Sequence, residues 1–117
     1  MKIQINADSH IERKESLATH IMGTIKKIVG RNSDHVSRIE VHLSDQNSNK
    51  HSENEKRCLM EARLEGIQPI AVSSQADTLA RAIDSATKKL GKKVNSTLER
   101  QRNQRHSRTD PLQPETE

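Results

Sequence analysis

The sequence predicts one α+β domain in which a four-stranded mixed sheet carries two helices on one face. Its 117 residues are enough for a single ordinary domain. Four segments alternate apolar and polar residues with the period of a strand, and two segments repeat apolar residues with the period of a helix. Their order is β-α-β-β-β-α, and each helix has one apolar stripe, so packing both on one face of the sheet buries the stripes together.

The first strand and the first helix are predicted at residues 2–6 and 14–29. Ile3 and Ile5 alternate with polar residues, as in a half-buried strand. In the next segment, apolar residues spaced by four, four and three positions share one helical face: Leu17, Ile21, Ile25 and Ile28. Gly30 is placed to end this helix.

Three more strands are predicted at residues 36–43, 57–65 and 70–74. The alternating residues expected to face the core are Ile39, Val41 and Leu43 in the first, and Cys58, Met60, Ala62 and Leu64 in the second. Residues 44–56 contain no apolar side chain, which is typical of a flexible loop. Residues 66–69 are expected to form a turn.

Strand directions follow from the connections. A helix joins the first two strands, which predicts a parallel pair with a right-handed crossover. The short turn between the third and fourth strands predicts an antiparallel pair, and the second and third strands are expected to pair in the same way.

The last helix is predicted to begin at Asp77, whose carboxylate is a suitable N-cap. Its apolar stripe consists of Leu79, Ala82, Ile83, Ala86, Leu90 and Val94, and Leu98 can extend it. From Asn103 onward, two prolines and the lack of an apolar period predict a disordered tail. The predicted division is therefore a domain over residues 1–102 and a tail over residues 103–117.

Composition narrows the function classes. The chain has no Phe, Trp or Tyr and only 30% apolar residues, so a small aliphatic core is expected. The single Cys58 excludes an intramolecular disulfide, and its place in an alternating segment favours a buried side chain over a reactive or metal-binding one. The first residues lack the apolar run of a signal peptide, so we expect a cytoplasmic protein without a membrane partner.

No segment has the pattern of a catalytic or metal site. Six histidines are scattered without the paired spacing of metal ligands: His10, His20, His35, His42, His51 and His106. The sequence also lacks a glycine-rich phosphate loop and a nucleophile with a recognisable base. We therefore expect a protein that is not an enzyme, with no cofactor, no metal and no small-molecule substrate.

Cations concentrate on the two helices. The chain has 20 Lys and Arg against 16 Asp and Glu, a formal charge of +4. On a helical wheel, some cations of the last helix lie opposite its apolar stripe and others on the flank, and those of the first helix fall within about 40° of each other. The candidate RNA-binding residues are Arg13, His20, Lys27, Arg31, Arg81, Lys88, Lys89, Lys92, Lys93 and Arg100.

Two interpretations of these cations are open. Surface helices are normally charged, and lysines near a helix C-terminus favour its dipole. However, few acids lie between the lysines of the last helix, and a polyanion would relieve their repulsion through counterion release. The second interpretation, a nucleic-acid partner, is favoured. Because the chain has no aromatic residue for base stacking, we expect contacts to phosphates and to the shape of folded or double-stranded RNA.

Two stretches resemble a known family. The opening MKIQIN and the segment TLARAIDSATKKLGKKVN, together with the element order, resemble the ribosome hibernation promoting factors, also called ribosome-associated inhibitor A or ribosomal subunit interface proteins. The resemblance covers about residues 1–102 and indicates a short form without the second, dimerising domain of long members. It implies a fold similar to double-stranded RNA-binding domains, and binding to the small ribosomal subunit in the channel for mRNA and tRNA.

The resemblance also assigns individual positions. Four basic positions and one acidic position of the family match Lys27, Lys89, Lys92, Lys93 and Asp84. Ala80 stands where the family commonly has Tyr, and Thr24 and Gln75 stand where some members have basic residues. Gly91 interrupts the last helix at a cost of up to about 1 kcal/mol relative to Ala.

The expected function is that of a ribosome-binding stasis factor, a monomer when free, whose partners are the small subunit and its rRNA. It would inhibit translation by occupying the channel for mRNA and tRNA. Two alternatives remain: a protein-binding modulator of an alternative sigma factor, and a general double-stranded RNA-binding module. Promotion and prevention of ribosome dimers are both compatible with the resemblance.

Overall fold

The computed structural model describes residues 1–8, 11, 15–45 and 56–109, with side chains described as far as Asn103. Over these residues the element order is the predicted one, with a 3-10 helix added after the first helix. The elements are β1 (Lys2–Ala7), α1 (Glu15–Val29), the 3-10 helix (Gly30–His35), β2 (Val36–Asp45), β3 (Lys56–Leu64), β4 (Ile70–Ala76) and α2 (Leu79–Thr109).

The four strands form one sheet in the order β1-β2-β3-β4. β1 and β2 are parallel, and the other two neighbouring pairs are antiparallel, which confirms the predicted mixed sheet. Two parallel strands need a connection that returns the chain to the starting end of the sheet, and a tight turn is too short for this. The helix between β1 and β2 provides that connection.

A β-bulge marks the start of β2. The pairing with β3 shifts register between Val36 and Arg38, and Val36 and Ile39 are both buried although they are three residues apart. The extra residue of a bulge explains why both side chains reach the same face. From Ile39 the predicted alternation holds, and Val41 and Leu43 are also buried.

The core lies between the helices and one face of the sheet. Its fully buried residues come from every layer, including Ile21 and Ile25 from α1, Met60 from β3, and Ile83 and Leu90 from α2. These aliphatic side chains supply the apolar burial that stabilises the fold, since no aromatic ring is present.

Cys58 is fully buried in this core, as its position in an alternating segment predicted. Burial raises the pKa of its thiol from 9.0 to about 12. The thiol therefore stays protonated at neutral pH, where the protonated form is a poor nucleophile. Cys58 acts as a small packing residue.

The predicted cap of the last helix is wrong by one residue. α2 begins at Leu79, and the hydroxyl of Thr78 accepts a hydrogen bond from the backbone N–H of Arg81 at 3.2 Å, which makes Thr78 the N-cap. Asp77 lies one position earlier, and its carboxylate Oδ1 is 3.4 Å from the guanidinium of Arg81. Asp and Thr are both common N-cap residues, so residue type alone could not show which of the two caps α2.

The boundaries of two other predicted segments also change. α2 continues to Thr109, so residues 103–109 are helical, in contrast to the disordered tail predicted from Asn103. This stretch contains neither Gly nor Pro, and Pro111 follows soon after the last helical residue. β2 and β3 extend through Asp45 and Lys56, and their salt bridge of 2.7 Å closes the pair. The rest of the predicted loop, residues 46–55, and the tail residues 110–117 lie outside the described residues.

In the described part of the chain, neither helix combines the length and the apolar character needed to cross a membrane.

Candidate nucleic-acid interface

The two helices lie side by side and run in the same direction. Near the start of each, His20 of α1 meets Asp84 of α2, and seven residues later on α2, Gly91 meets Ile28 of α1. A Cβ atom at Gly91 would lie 2.5 Å from Cγ2 of Ile28. The glycine that weakens α2 in isolation is therefore what allows the helices to approach each other.

His20 and Asp84 form the polar contact between the helices. His20 Nε2 is 3.0 Å from Asp84 Oδ1, and the two side chains are 40% and 49% exposed. His20 was a predicted RNA contact, and the structure gives it a protein partner instead of a free ring. The pair lies at the rim of the helix layer, where Asp84 offsets part of the positive charge of α2.

Six cations of α2 form two rows. Taking Gly91 as the point nearest α1, the outward row of Arg81, Lys88 and Lys92 lies about 60° to 100° around the helix, opposite the core residues. The flank row of Lys89, Lys93 and Arg100 lies about 160° to 200° around it, on the side away from α1. All six residues are exposed.

Contacts made by Lys89 and Arg81 support this division. The ammonium group of Lys89 donates to the backbone carbonyl of Ser73 at 2.9 Å, which places the flank row beside β4, the last strand of the sheet. In the outward row, Arg81 pairs with Asp77 at the helix start. Within the described part of the chain, Lys88 and Lys92 have no ion-pair partner, so a bound phosphate would not have to displace a carboxylate from them.

α1 contributes cations only at its C-terminal end. Its first turn carries Glu15 and its last turn carries Lys26 and Lys27, the distribution favoured by the helix dipole. Lys27 is exposed, lies about 100° from Ile28 and points away from the core, and Arg31 follows in the 3-10 helix, also exposed. Lys27 therefore lies on the same solvent face as the outward row, and the exposed Arg31 follows it by four residues.

Of the ten predicted RNA-binding residues, three exposed cations lie on this face, and the exposed Arg31 follows Lys27 directly after α1. We call them the helical basic surface: Lys27, Arg31, Lys88 and Lys92. Arg81 lies at its edge, paired with Asp77, and His20 lies within it, paired with Asp84. The flank row lies on the side of α2 beside β4. Arg13 lies outside the described residues.

One exposed cation that lies beside the 3-10 helix was missing from the predicted set of RNA-binding residues. Arg102 lines an open hollow with Asn32 and His35 of the 3-10 helix and with Gln101. Periodicity along α2 gave no signal for this site, because the hollow forms only where the end of α2 passes the 3-10 helix.

Four charged or titratable side chains on the opposite face of the sheet contact each other: Arg38, Glu40, His42 and Glu61. Nε of Arg38 lies 3.2 Å from Oε2 of Glu40, without the alignment of a hydrogen bond. Another nitrogen of the Arg38 guanidinium donates to the side-chain oxygen of Gln4. His42 lies between Glu40 and Glu61. Among the described residues, the outer sheet face also carries Lys2, Arg57 and Arg63, for which no ion pair is seen, so positive charge is present on both faces and is denser on α2.

The sequence matches a family model over residues 3–102, which is most of the chain. The family is described as Sigma 54 modulation protein / S30EA ribosomal protein. No curated protein sequence matches the chain.

Solved structures share the fold. A ribosomal subunit interface protein from Coxiella burnetii superposes with a TM-score of 0.70 at 16% identity, covering 85% of this chain and 99% of that one. The N-terminal domain of Protein Y from Thermus thermophilus superposes with a TM-score of 0.68 at 21% identity, covering 83% of this chain and 99% of that one. With the family match, these findings establish that the chain belongs to the Sigma 54 modulation protein / S30EA ribosomal protein family.

Proposed function

We propose that the protein is a ribosome stasis factor of the cytoplasm, which binds the small ribosomal subunit and inhibits translation by occupying the channel for mRNA and tRNA. Membership of a ribosome-associated family supports ribosome binding. The observation that carries the choice of interface is the helical basic surface, whose exposed cations Lys88 and Lys92 have no ion-pair partner among the described residues.

Binding would use phosphate contacts. Lys27 projects from α1 and Lys88 and Lys92 project from α2, and Arg31 follows in the 3-10 helix, so the Gly91 contact sets the relative position of the two helices before RNA arrives. Each ammonium or guanidinium group that neutralises a phosphate releases counterions, which makes the affinity fall steeply with salt. No aromatic side chain is available to stack on bases, so the fit to folded rRNA would depend on shape and charge.

Inhibition would need no reaction. A rigid domain that fills the channel excludes mRNA and tRNA sterically. The buried core and the continuous sheet supply that rigidity.

The test is sedimentation of the protein with isolated small subunits over a series of salt concentrations. The test variant carries Lys27→Ala, Lys88→Ala and Lys92→Ala, and the matched control carries Lys2→Ala, Arg57→Ala and Arg63→Ala, which remove the same charge from the sheet. We expect stoichiometric binding by the wild type and the control, and for the test variant a salt slope smaller by about three. Absence of binding to subunits at low salt, or equal loss in both variants, would refute the proposal.

A second candidate function is supported by the first half of the family description, which names modulation of sigma 54. In that case the chain would bind a polymerase subunit, and the removal of the three lysines would leave that binding intact. A general double-stranded RNA-binding protein is distinguished by the same assay, because it would bind naked duplexes as tightly as small subunits.

A further inference from the structure

A histidine and two carboxylates meet on the sheet face that points away from the helices. Glu40 and His42 are two residues apart on β2 and therefore share a face, and Glu61 is the β3 residue paired with Glu40. His42 Nε2 lies 3.5 Å from Glu40 Oε1 and 3.7 Å from Glu61 Oε1. We propose that Glu40, His42 and Glu61 bind a divalent transition-metal ion, and that zinc fits the site best.

The two separations between His42 and the carboxylates are close to those of a zinc site. Zinc holds nitrogen and oxygen ligands at about 2.0 to 2.2 Å, and a tetrahedral arrangement then places them about 3.4 Å from each other. The two measured N···O separations exceed this value by only a few tenths of an ångström, and the three ligand atoms all lie within 4.8 Å of one another. Small rotations of these partly exposed side chains are enough to close the site around an ion.

The second oxygen of Glu40 faces the guanidinium of Arg38, in an ion pair without the alignment of a hydrogen bond. Arg38 Nε lies 3.2 Å from Glu40 Oε2, so Oε1 is the oxygen directed to His42. Arg38 in turn donates to the side-chain oxygen of Gln4 on β1. Carboxylates that bind metals are typically oriented by such an outer partner, so the cluster has the support that a metal site needs.

Charge and ligand type select the class of ion. With a neutral imidazole, the ligand set of Glu40, His42 and Glu61 carries a charge of −2, which attracts a cation, and Arg38 and Arg63 on the same sheet face reduce that attraction. An imidazole ligand suits zinc and its neighbours in the first transition row, whereas magnesium and calcium prefer oxygen ligands alone. Because the three side chains are partly exposed, water can complete the coordination.

The site lies on the opposite side of the sheet from the helical basic surface. Ion binding here does not require the cations of that surface, and the inference does not depend on the proposed ribosome binding. The two proposals can therefore fail separately.

The test is calorimetric titration of the full chain with Zn²⁺, and Co²⁺ absorption provides a spectroscopic record of the ligands. We expect one Zn²⁺ to bind per chain at this site. His42→Gln and Glu61→Gln should each weaken Zn²⁺ binding by at least about tenfold, since even the loss of a residue that only orients a metal ligand can weaken binding that much. His20→Gln is the matched control, since it removes a similarly exposed histidine that also contacts a carboxylate.

Circular dichroism and thermal unfolding of the variants separate loss of the site from loss of the fold. In a folded protein, added Zn²⁺ should raise the melting temperature of the wild type and of His20→Gln but not of His42→Gln. The proposal is overturned by an absence of binding at millimolar Zn²⁺, by binding that survives both His42→Gln and Glu61→Gln, or by tighter binding of Mg²⁺ than of Zn²⁺.

Discussion

At the scale of single residues, Gly91 shows how a residue that lowers helix propensity can stabilise a tertiary contact. Glycine in a helix interior costs up to about 1 kcal/mol relative to alanine. At this position, however, any larger side chain would meet Ile28, because a Cβ atom would be 2.5 Å from its Cγ2. The methyl group that it would meet is on a β-branched side chain, which has little rotational freedom within a helix.

We therefore predict that Gly91→Ala lowers the free energy of unfolding by about 1 to 3 kcal/mol, as overpacking of a tight contact usually does. Gly23→Ala is the matched control, because nothing lies within 4 Å of a Cβ atom added there. That substitution should stabilise the protein by about 0.5 to 1 kcal/mol, through helix propensity alone. Urea unfolding of both variants gives the comparison.

The double variant Gly91→Ala, Ile28→Ala provides a further check. If the clash with Ile28 causes the destabilisation, the two substitutions should be strongly non-additive, with the double variant more stable than the sum of the single effects predicts. Additive effects, or a stabilising Gly91→Ala, would contradict the role assigned to Gly91.

At the scale of elements, α2 presents different chemistry on each side. Its core side contains a buried polar residue that apolar periodicity did not predict, Thr87, whose hydroxyl donates to the backbone carbonyl of Ile83 at 2.7 Å. Its outward row faces solvent beside α1, and its flank row runs beside β4. Each pair of adjacent lysines, Lys88 with Lys89 and Lys92 with Lys93, contributes one residue to each row. Neighbouring lysines in the sequence therefore face different surroundings.

The two rows allow a comparison at constant charge. Lys88→Ala with Lys92→Ala and Lys89→Ala with Lys93→Ala remove the same two charges from the same stretch of α2. We predict that the double substitution in the outward row weakens binding to small subunits more than the double substitution in the flank row. It should also lower the salt slope by about two, since each lost phosphate contact lowers the slope by about one.

Co-sedimentation at several salt concentrations measures both effects. The flank pair should keep most of the binding, because Lys89 is turned toward Ser73 and away from the helical basic surface. A greater loss in the flank pair would move the interface to the side of α2 that lies beside β4.

At the scale of the whole molecule, the sequence predicted what local periodicity determines. The element order and most core residues follow from the spacing of side chains such as Ile21, Met60 and Leu90, the strand directions follow from the connections between strands, and the structure confirms both. Contacts between distant segments were beyond that reasoning. The approach of Gly91 to Ile28 depends on how the helices cross.

The cluster on the sheet shows the same limit. Glu40 and His42 share a face by alternation alone, but the position of Glu61 beside them depends on the register between β2 and β3. A connection as long as residues 46–55 does not fix that register, unlike a two-residue turn. The separation of the α2 cations into an outward and a flank row was predictable from the helical wheel, whereas the position of each row relative to α1 and β4 required the structure.

The predicted domain boundary at residue 102 remains a prediction, and the fold suggests how to examine it. Leu98, 9% exposed, is the last buried residue described in α2. We expect a chain that ends at Arg102 to keep its free energy of unfolding within about 0.5 kcal/mol, the usual effect of changes at surface positions. Leu98→Ala in the full chain should instead cost about 2 kcal/mol or more.

Thermal and urea unfolding of the two proteins decide this point. A marked loss of stability in the shortened chain would mean that the helical residues 103–109 belong to the domain.

The hydrogen bond from Lys89 to Ser73 has a consequence for solubility. β4 is at the end of the sheet, and such an edge offers unpaired backbone groups on which a strand from another molecule can add. The ammonium group of Lys89 occupies one of the carbonyls of β4 and brings a charge that an incoming strand would have to desolvate. The same lysine that contributes to the basic character of α2 thus makes this edge of the sheet a poorer template for a strand from another molecule.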